Sequence, residues 1–454
     1  MTRTAARVPR LVIAAPASGS GKTTVTAGLA AALAARGLVV QPFKAGPDFL
    51  DPAVQSWATG RPARNLDLWM GSARWARWVF AEAAGDADVA LVEGVMGLFD
   101  GRGPDAARAS TAHVARVLGA PVLLVVDARG MGQSLAALLH GFATWRRDIR
   151  IGGVIANQVG SATHAERLRR AAEAARVPFL GWLPRTADIH WPDRHLGLVP
   201  PAEAPADPGW AERLARWVEQ GVDVPAVLRL AASAPTLPVP AGPPGVAPLE
   251  RPVRVAVAED PAFLFYYREN LGLLEGLGAQ LVRFSPLAGD PLPDAEALYW
   301  GGGFPEVHAR RLAETAPQYR GALMARRPLT LAECGGMMYL ARRLTTADGR
   351  VYPMVGVIPV DIAMAPRVQA LGYRSVRAGP TGVFPPGAPF RGHEFHYSRV
   401  VRRDPAPPAW IAGDTPDGFA APWISAGYVH LYFPSNPEGV RAWLARAAAS
   451  RRVV

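Results

Sequence analysis

The sequence predicts an α/β protein of two domains, the first a mostly parallel sheet with helices on both faces. Three observations carry this. At 454 residues the chain exceeds what one ordinary core organises. Short apolar runs alternate with helical segments, the pattern of strand–helix–strand units. One proline-rich stretch interrupts the alternation, which then restarts.

Leu11 to Ala15 reads as a buried strand, followed by a glycine-containing turn and an Ala/Leu-rich helix ending near Arg36. Leu38–Phe43, Val89–Val92, Val122–Val126 and Gly153–Ala156 read as further strands with helices between them. From Pro235 to Pro252 the chain reads PTLPVPAGPPGVAPLERP. So many prolines remove backbone donors and forbid helix, so residues 235–252 read as a linker between domains of residues 1–234 and 253–454. Beyond it, Val253–Ala258, Gln280–Phe284, Ala297–Trp300 and Leu329–Ala332 read as strands and Phe265–Leu277 as a helix. Tyr352 to Phe433 has more Gly and Pro and alternating patterns, and is expected to add antiparallel strands to the second sheet.

Composition narrows the function. The arginines behind the net charge of +11 are scattered along helices and no nucleic-acid motif is present, so no nucleic-acid partner is expected. The charge reads as a basic solvated surface, or as a field that attracts a polyanionic small substrate. A single cysteine excludes a disulfide framework and a Cys-based zinc site, and fits a reducing cytoplasm. Only two lysines occur, Lys22 and Lys44, with arginine at every other basic position. They mark places where a compact ammonium is needed rather than a guanidinium. Arg3, Arg7 and Arg10 before Leu11–Ala15 imitate a signal peptide, but the apolar run is short and Pro16 ends it. No run is long enough to span a bilayer, so a soluble, cytoplasmic protein with no membrane partner is expected.

Pro16-Ala-Ser-Gly-Ser-Gly21-Lys22-Thr23-Thr24 joins a strand to a helix. In that context backbone N–H groups cradle phosphates, Lys22 reaches the outer phosphates and Thr23 holds Mg²⁺. Pro16 stands where a strict phosphate loop has its first glycine, while Gly19 and Gly21 still allow close backbone approach. Glu93 and Asp48 each follow a strand, at the sheet edge where ligands bind, and offer oxygen ligands to Mg²⁺. Asp127 ends another strand and reads equally as a helix cap.

Cys334 follows the strand Leu329–Ala332 and precedes Gly335, Gly336 and a helix. A sharp strand-to-helix turn exposes a nucleophile, and a helix N-terminus favours a thiolate. The Gly335 N–H is a candidate oxyanion donor, and the Gly301-Gly302-Gly303 turn offers another. His430 is the candidate base, with His393 and His396 as rivals that sequence alone does not eliminate.

Three strings carry a family resemblance: Phe43-Lys44-Ala-Gly-Pro-Asp48-Phe-Leu50-Asp51-Pro, Val92-Glu93-Gly94-Val-Met-Gly97-Leu-Phe-Asp100-Gly, and Gly392-His-Glu-Phe-His-Tyr-Ser398. In order and over nearly the whole chain, the sequence resembles the cobyrinic or hydrogenobyrinic acid a,c-diamide synthases. The resemblance implies a dethiobiotin-synthetase-like P-loop domain followed by a class I glutamine amidotransferase-like α/β domain. It implies that ATP phosphorylates a substrate carboxylate, that Cys334 forms a thioester with glutamine while His430 relays the proton, and that the released ammonia displaces phosphate. Gly303 and Gly335 are then the oxyanion donors. Ser20, Gly21, Lys22, Thr23, Thr24 and Asn157 bind ATP, Asn157 resembling the adenine-contacting asparagine of related folds. The resemblance assigns Asp48, Leu50, Glu93 and Asp100 to the synthetase and substrate site; Lys44 beside them reads equally as a ligand of phosphate or a substrate carboxylate and as a packing or salt-bridge residue, and Thr23, Asp48 and Glu93 are the candidate Mg²⁺ ligands.

One departure stands out: full triads place Glu two residues after the histidine, and here that residue is Tyr432. A Cys–His dyad is therefore expected. The implied partners are ATP, glutamine and a polycarboxylate corrinoid; a homodimer is compatible with the sequence, which does not fix the oligomeric state. Two other readings compete. A cobyric acid synthase would amidate other side chains of the same ring, but Gly46-Pro-Asp-Phe-Leu-Asp-Pro52 favours the a,c enzyme. A P-loop switch of the partitioning type usually has an early lysine in its loop, where this chain has Ser18, and leaves Cys334 unexplained. The arginine bias, a mark of a GC-rich genome, tips the expectation to the metal-free ring.

Overall fold

The computed structural model describes residues 5–103, 108–185, 189, 209–243 and 245–450. Arg3 and Pro244, which entered the readings above, lie outside them. The chain divides into two compact units, Met1–Pro244 and Gly245–Val454.

The first unit is built on seven parallel strands in the order Arg64–Leu66, Val40–Ala45, Val89–Glu93, Arg10–Ala14, Val122–Asp127, Ile151–Val159, Phe179–Pro184. Arg10–Ala14 and Val89–Glu93 are buried at every position, and between the charged Arg10 and Glu93 at their ends they are apolar, as a sheet covered on both faces requires. On one face Leu11, Ile13, Leu91, Leu123 and Val125 pack against the helices Lys22–Ala35 and Trp210–Gly221. The chain leaves Arg10–Ala14 in one direction for Val40–Ala45, and Val122–Asp127 is added on its other side. This reversal opens a crevice at the carboxyl edge beside the central strand. The phosphate loop sits there.

Arg10, part of the apparent leader, is the first residue of that central strand and fully buried. Its guanidinium donates to the carbonyls of Leu118 at 2.7 Å, Val8 at 3.2 Å and Pro235 at 2.5 Å. Burial lowers its pKa to about 10, which still leaves it charged at neutral pH. Within the segment read as a linker, Leu237–Pro238 pairs with Ala5–Ala6.

The second unit centres on six strands in the order Ala279–Phe284, Val253–Ala258, Ala297–Trp300, Leu329–Glu333, Ile424–Gly427, Phe419–Ala421. All neighbours are parallel except the last pair. Trp300 packs edge-on to Phe263, Phe284 and Tyr319 on one face. The helix read as Phe265–Leu277 forms as Arg268–Gly276. The expectation that Tyr352 to Phe433 extends the second sheet holds only for Phe419–Ala421 in antiparallel and Ile424–Gly427 in parallel pairing. The other strands form two separate sheets. One has the order Val351–Pro353, Arg343–Thr345, Val360–Met364, Ser398–Arg403; the other has Thr415–Asp417, Trp410–Ala412, Ala370–Ala378, Pro389–His396, His430–Leu431. Alternation reports a two-sided strand, not which sheet it joins.

Candidate active sites

Gly19 and Gly21 adopt left-handed φ values of 79° and 84°, which turn the phosphate loop into the helix that begins at Lys22. A Cβ on Gly21 would lie 2.4 Å from Asn157 Nδ2, so only glycine lets the loop rest on that side chain. Asn157 is buried at the carboxyl end of its strand and donates to Ser20 O at 3.1 Å, while its Oδ1 has no partner. Ser20 folds back on Ala17 O at 2.9 Å. Lys22 is buried and donates to Met96 O at 2.7 Å and Ala17 O at 3.4 Å. Burial lowers its pKa and the nearby Lys44 adds to this. Thr24 follows in the first helical turn, half-buried.

Glu93 is the hub of the site. It is wholly buried, and its Oε1 accepts from Thr23 Oγ1 at 2.8 Å and Lys44 Nζ at 2.9 Å. Gln55 donates to its Oε2. Lys44 also pairs with Asp51, lies 3.8 Å from Asp48 Oδ2 and donates to Gly94 O at 3.2 Å. Burial opposes the Lys44 charge, but Asp51, Glu93 and Asp48 outweigh it and hold its pKa above the usual range. Burial raises Glu93 to about 7 with help from Asp51, against the pull of Lys44. Burial also raises Asp48, to about 6, although its side chain is 30% exposed and solvent moderates the shift. For Asp51 burial is outweighed by the Lys44 charge and hydrogen bond, so its pKa falls.

Asp48 stands one residue before Phe49, the N-cap of the helix Leu50–Thr59, and its Oδ1 accepts from the free amides Leu50 N at 2.8 Å and Asp51 N at 3.2 Å. Leu50 is thus the first helical residue. Asp100 lies on the facing loop and accepts from Gly97 N at 2.9 Å, and a Cβ on Gly97 would strike Pro16 O at 2.5 Å. Asp127 is bound by the Arg129 guanidinium at 2.6 Å, in a local turn outside this cluster.

Among the described residues no group of three or more His, Cys, Asp or Glu forms a metal cluster. Thr23 and Glu93 supply a hydroxyl and a buried carboxylate in contact, an all-oxygen pair. That partial set fits Mg²⁺, which keeps waters and phosphate oxygens as its remaining ligands.

In the second unit, Cys334 ends the strand Leu329–Glu333 with φ 47° and ψ −104°, a conformation that costs a non-glycine residue about 1–3 kcal/mol. Its N–H donates to Gly427 O at 2.8 Å, which fixes the turn. The adjacent strand Ala297–Trp300 ends in Gly301–Gly303, and the two turns touch. A Cβ on Gly335 would lie 2.8 Å from Gly303 N, and one on Gly336 2.4 Å from Trp300 O. Any side chain at 335 would therefore cover the Gly303 N–H. His430 reaches the same turn from the edge strand His430–Leu431, its ring 2.3 Å from where a Cβ on Gly302 would sit. Burial pushes the Cys334 thiol well above its usual range, Glu306 adding to this and the Gly335 N–H opposing it. Burial pushes His430 down to about 3, with His393 and His396 adding. Both groups therefore rest neutral.

Of the rival histidines, His396 is held by other groups. His396 contacts Ser398 O at 2.7 Å and Glu394 Oε1 at 2.8 Å, and stacks on Tyr428 with centroids 3.7 Å apart. His393 sits opposite His430 in the ladder, with its ring edge-on to Tyr373. Burial, with Arg374, lowers its pKa to about 4.

Residues 11–199 match the model of the CobQ/CobB/MinD/ParA nucleotide binding domain, and residues 254–438 that of the CobB/CobQ-like glutamine amidotransferase domain. A cobyrinate a,c-diamide synthase of Syntrophotalea carbinolica is 46% identical, covering 96% of this chain and 98% of the relative. A hydrogenobyrinate a,c-diamide synthase of Streptomyces coelicolor is 42% identical, and one of Pseudomonas aeruginosa 42%, each covering 98% of this chain. The chain belongs to the cobyrinate and hydrogenobyrinate a,c-diamide synthase family.

In this diamide synthase family member, one network gathers Thr23, Lys44, Asp48 and Glu93, within the electrostatic reach of Lys22, and Asn157 lies against the same phosphate loop. Sequence reasoning missed two of its members, Asp51 and Gln55. Asp51 lies three residues after Asp48 and Gln55 four after Asp51, so helical spacing puts both towards Lys44 and Glu93. In the second unit it missed Glu333, Tyr299 and Asn270. Glu333 adjoins the cysteine in sequence, but nothing local distinguishes Tyr299 or Asn270 from core residues.

Proposed function

We propose that this chain amidates the a and c carboxylates of hydrogenobyrinic or cobyrinic acid in cobalamin biosynthesis, in the cytoplasm, using ATP and glutamine. What carries the reading is that one chain of this family holds both a lysine- and carboxylate-lined phosphate loop and a strained cysteine turn shared with His430. In the second unit Cys334 Sγ attacks the glutamine side-chain carbonyl, and its proton passes to His430 and on to the leaving ammonia. The Gly303 and Gly335 N–H groups receive the developing oxyanion, and water then hydrolyses the thioester to glutamate.

In the first unit a carboxylate oxygen of the substrate attacks the γ-phosphorus, and ADP leaves. The acyl phosphate is attacked by ammonia at carbon, and phosphate leaves with the original carboxylate oxygen. Repulsion between two anions is the barrier, and Lys22 with the helix N-terminus offsets it. Mg²⁺, held through Thr23, Glu93 and Asp48, would supply further charge neutralisation. The buried Lys44 keeps Asp51 ionised and orients Glu93. Asn157, with Oδ1 unpartnered, suits adenine recognition, while Leu50 and Asp100 flank the substrate side. The basic surface suits a corrinoid with many carboxylates.

Turnover with each corrinoid, ATP and Mg²⁺, fed by glutamine or by ammonia, tests the reading. Cys334→Ala is expected to abolish glutamine-dependent product and leave ammonia-dependent product. Loss of both in a folded variant, or of neither, would refute it.

A further inference from the structure

Position 432, where a full triad carries Glu, holds a buried Tyr packed edge-on to Tyr267. A different carboxyl reaches the backbone beside the base. Glu333 immediately precedes Cys334 and is 2% exposed. Its Oε1 accepts from Leu431 N at 2.9 Å, the amide of the peptide joining His430 to Leu431. Its Oε2 accepts from Tyr299 Oη at 2.8 Å. Asn270 holds the same segment from the other side: its Nδ2 donates to Leu431 O at 2.7 Å and to Tyr299 Oη at 3.3 Å, and its Oδ1 accepts from Phe433 N at 2.8 Å.

No cation pairs with Glu333 among the described residues. Burying an uncompensated carboxyl is costly, and a purely structural acceptor for one N–H needs no ionisable group. This one is attached to the nucleophile by a single peptide bond and, by a single hydrogen bond, to the amide that follows the base. Resting on the glutamine-hydrolysing reading above, we propose that Glu333 is the positioning residue that fixes His430 relative to Cys334, with Tyr299 and Asn270 holding it in place. It works through the backbone of His430 rather than through the imidazole, unlike a triad carboxylate.

Glu333→Ala leaves the Leu431 N–H and the Tyr299 hydroxyl proton without their acceptor, and removes one of the two side chains that hold the His430 strand. Misplacement by an ångström costs on the order of 100-fold. The expected loss is of that size in glutamine-dependent kcat, with KM for glutamine nearly unchanged and ammonia-dependent synthesis retained. Glu333→Gln keeps an acceptor for Leu431 N–H and is expected to recover most of the rate. Should the alanine variant not fold, Tyr299→Phe, which removes one anchor, is expected to lower the same kcat by roughly tenfold. An equal loss with ammonia, a change confined to KM, a Gln variant as impaired as Ala, or no loss at all overturns the proposal. Wild-type enzyme inert towards glutamine overturns the underlying reading as well, and is seen before any variant is compared.

Discussion

A methyl group at position 302 would collide with the candidate base. The Cβ of Gly302→Ala falls 2.3 Å from His430 Cε1, 3.1 Å from Nε2 and 3.3 Å from Nδ1. Ordinary contact begins at 3.4 Å, so the ring must retreat by 3.4 − 2.3, or about 1.1 Å. Its strand cannot follow, because Glu333 and Asn270 hold Leu431 on both sides. The ring therefore rotates out of its present position. A displacement near 1 Å costs on the order of 100-fold in rate, or about 2.7 kcal/mol of barrier. Gly302 does not have a positive φ, so the substitution adds no backbone strain and the fold should survive. The assay measures glutamate release and amide formation with glutamine, and amide formation with ammonia, on one preparation. Only the first two should fall. A variant with wild-type glutamine turnover would refute the placement of His430 as the base over the glycine turn.

Two further outcomes follow from the buried charges. Lys44→Met strands Asp51 and Glu93 without their cation, and removing one partner of a buried pair costs roughly 3–5 kcal/mol. At about 2–4 °C per kcal/mol, the melting transition of the first unit should drop by roughly 6–20 °C, and synthesis should fail with either nitrogen donor; an unchanged melt would contradict the network. Glu333 has its folded-state pKa raised from 4.5 to about 8 by burial. Between those values the folded protein keeps a proton that the unfolded chain has lost, so stability falls as pH rises through this window. Glu333→Gln, which cannot ionise, should flatten that decline. Melting curves from pH 5 to about 8 check this, and parallel curves for variant and wild type would count against it.

Much of this molecule could be read from its sequence because the informative patterns are local. Val253–Ala258, interrupted only by Arg254, and Ala297–Trp300 are short apolar runs between turns, and the structure keeps both as read. Lys22 and Lys44 stood out because arginine had replaced lysine everywhere else, and both prove buried. The phosphate loop and the cysteine turn were legible because each combines a strand end, glycines and a helix start. Long-range partners were not. Asn270 and Leu431 are 161 residues apart, and only the closed fold brings them together. The separate sheets built from Arg343 to Leu431 were hidden for the same reason, since alternation carries no information about which strand lies alongside. The sequence was enough to reject a leader at Arg10, but not to show why a guanidinium begins a buried strand, since its carbonyl partners at Leu118 and Pro235 are distant in sequence.

The division of chemistry between the two units rests on activation of the carboxylate by phosphorylation. The most direct measurement uses corrinoid labelled with ¹⁸O in its a and c carboxylates, turned over with ATP, Mg²⁺ and glutamine, with the released phosphate read by mass. Each amide formed should deliver one labelled oxygen to one phosphate. Amide formation with unlabelled phosphate would contradict the acyl phosphate and the role given to Lys22 and Glu93.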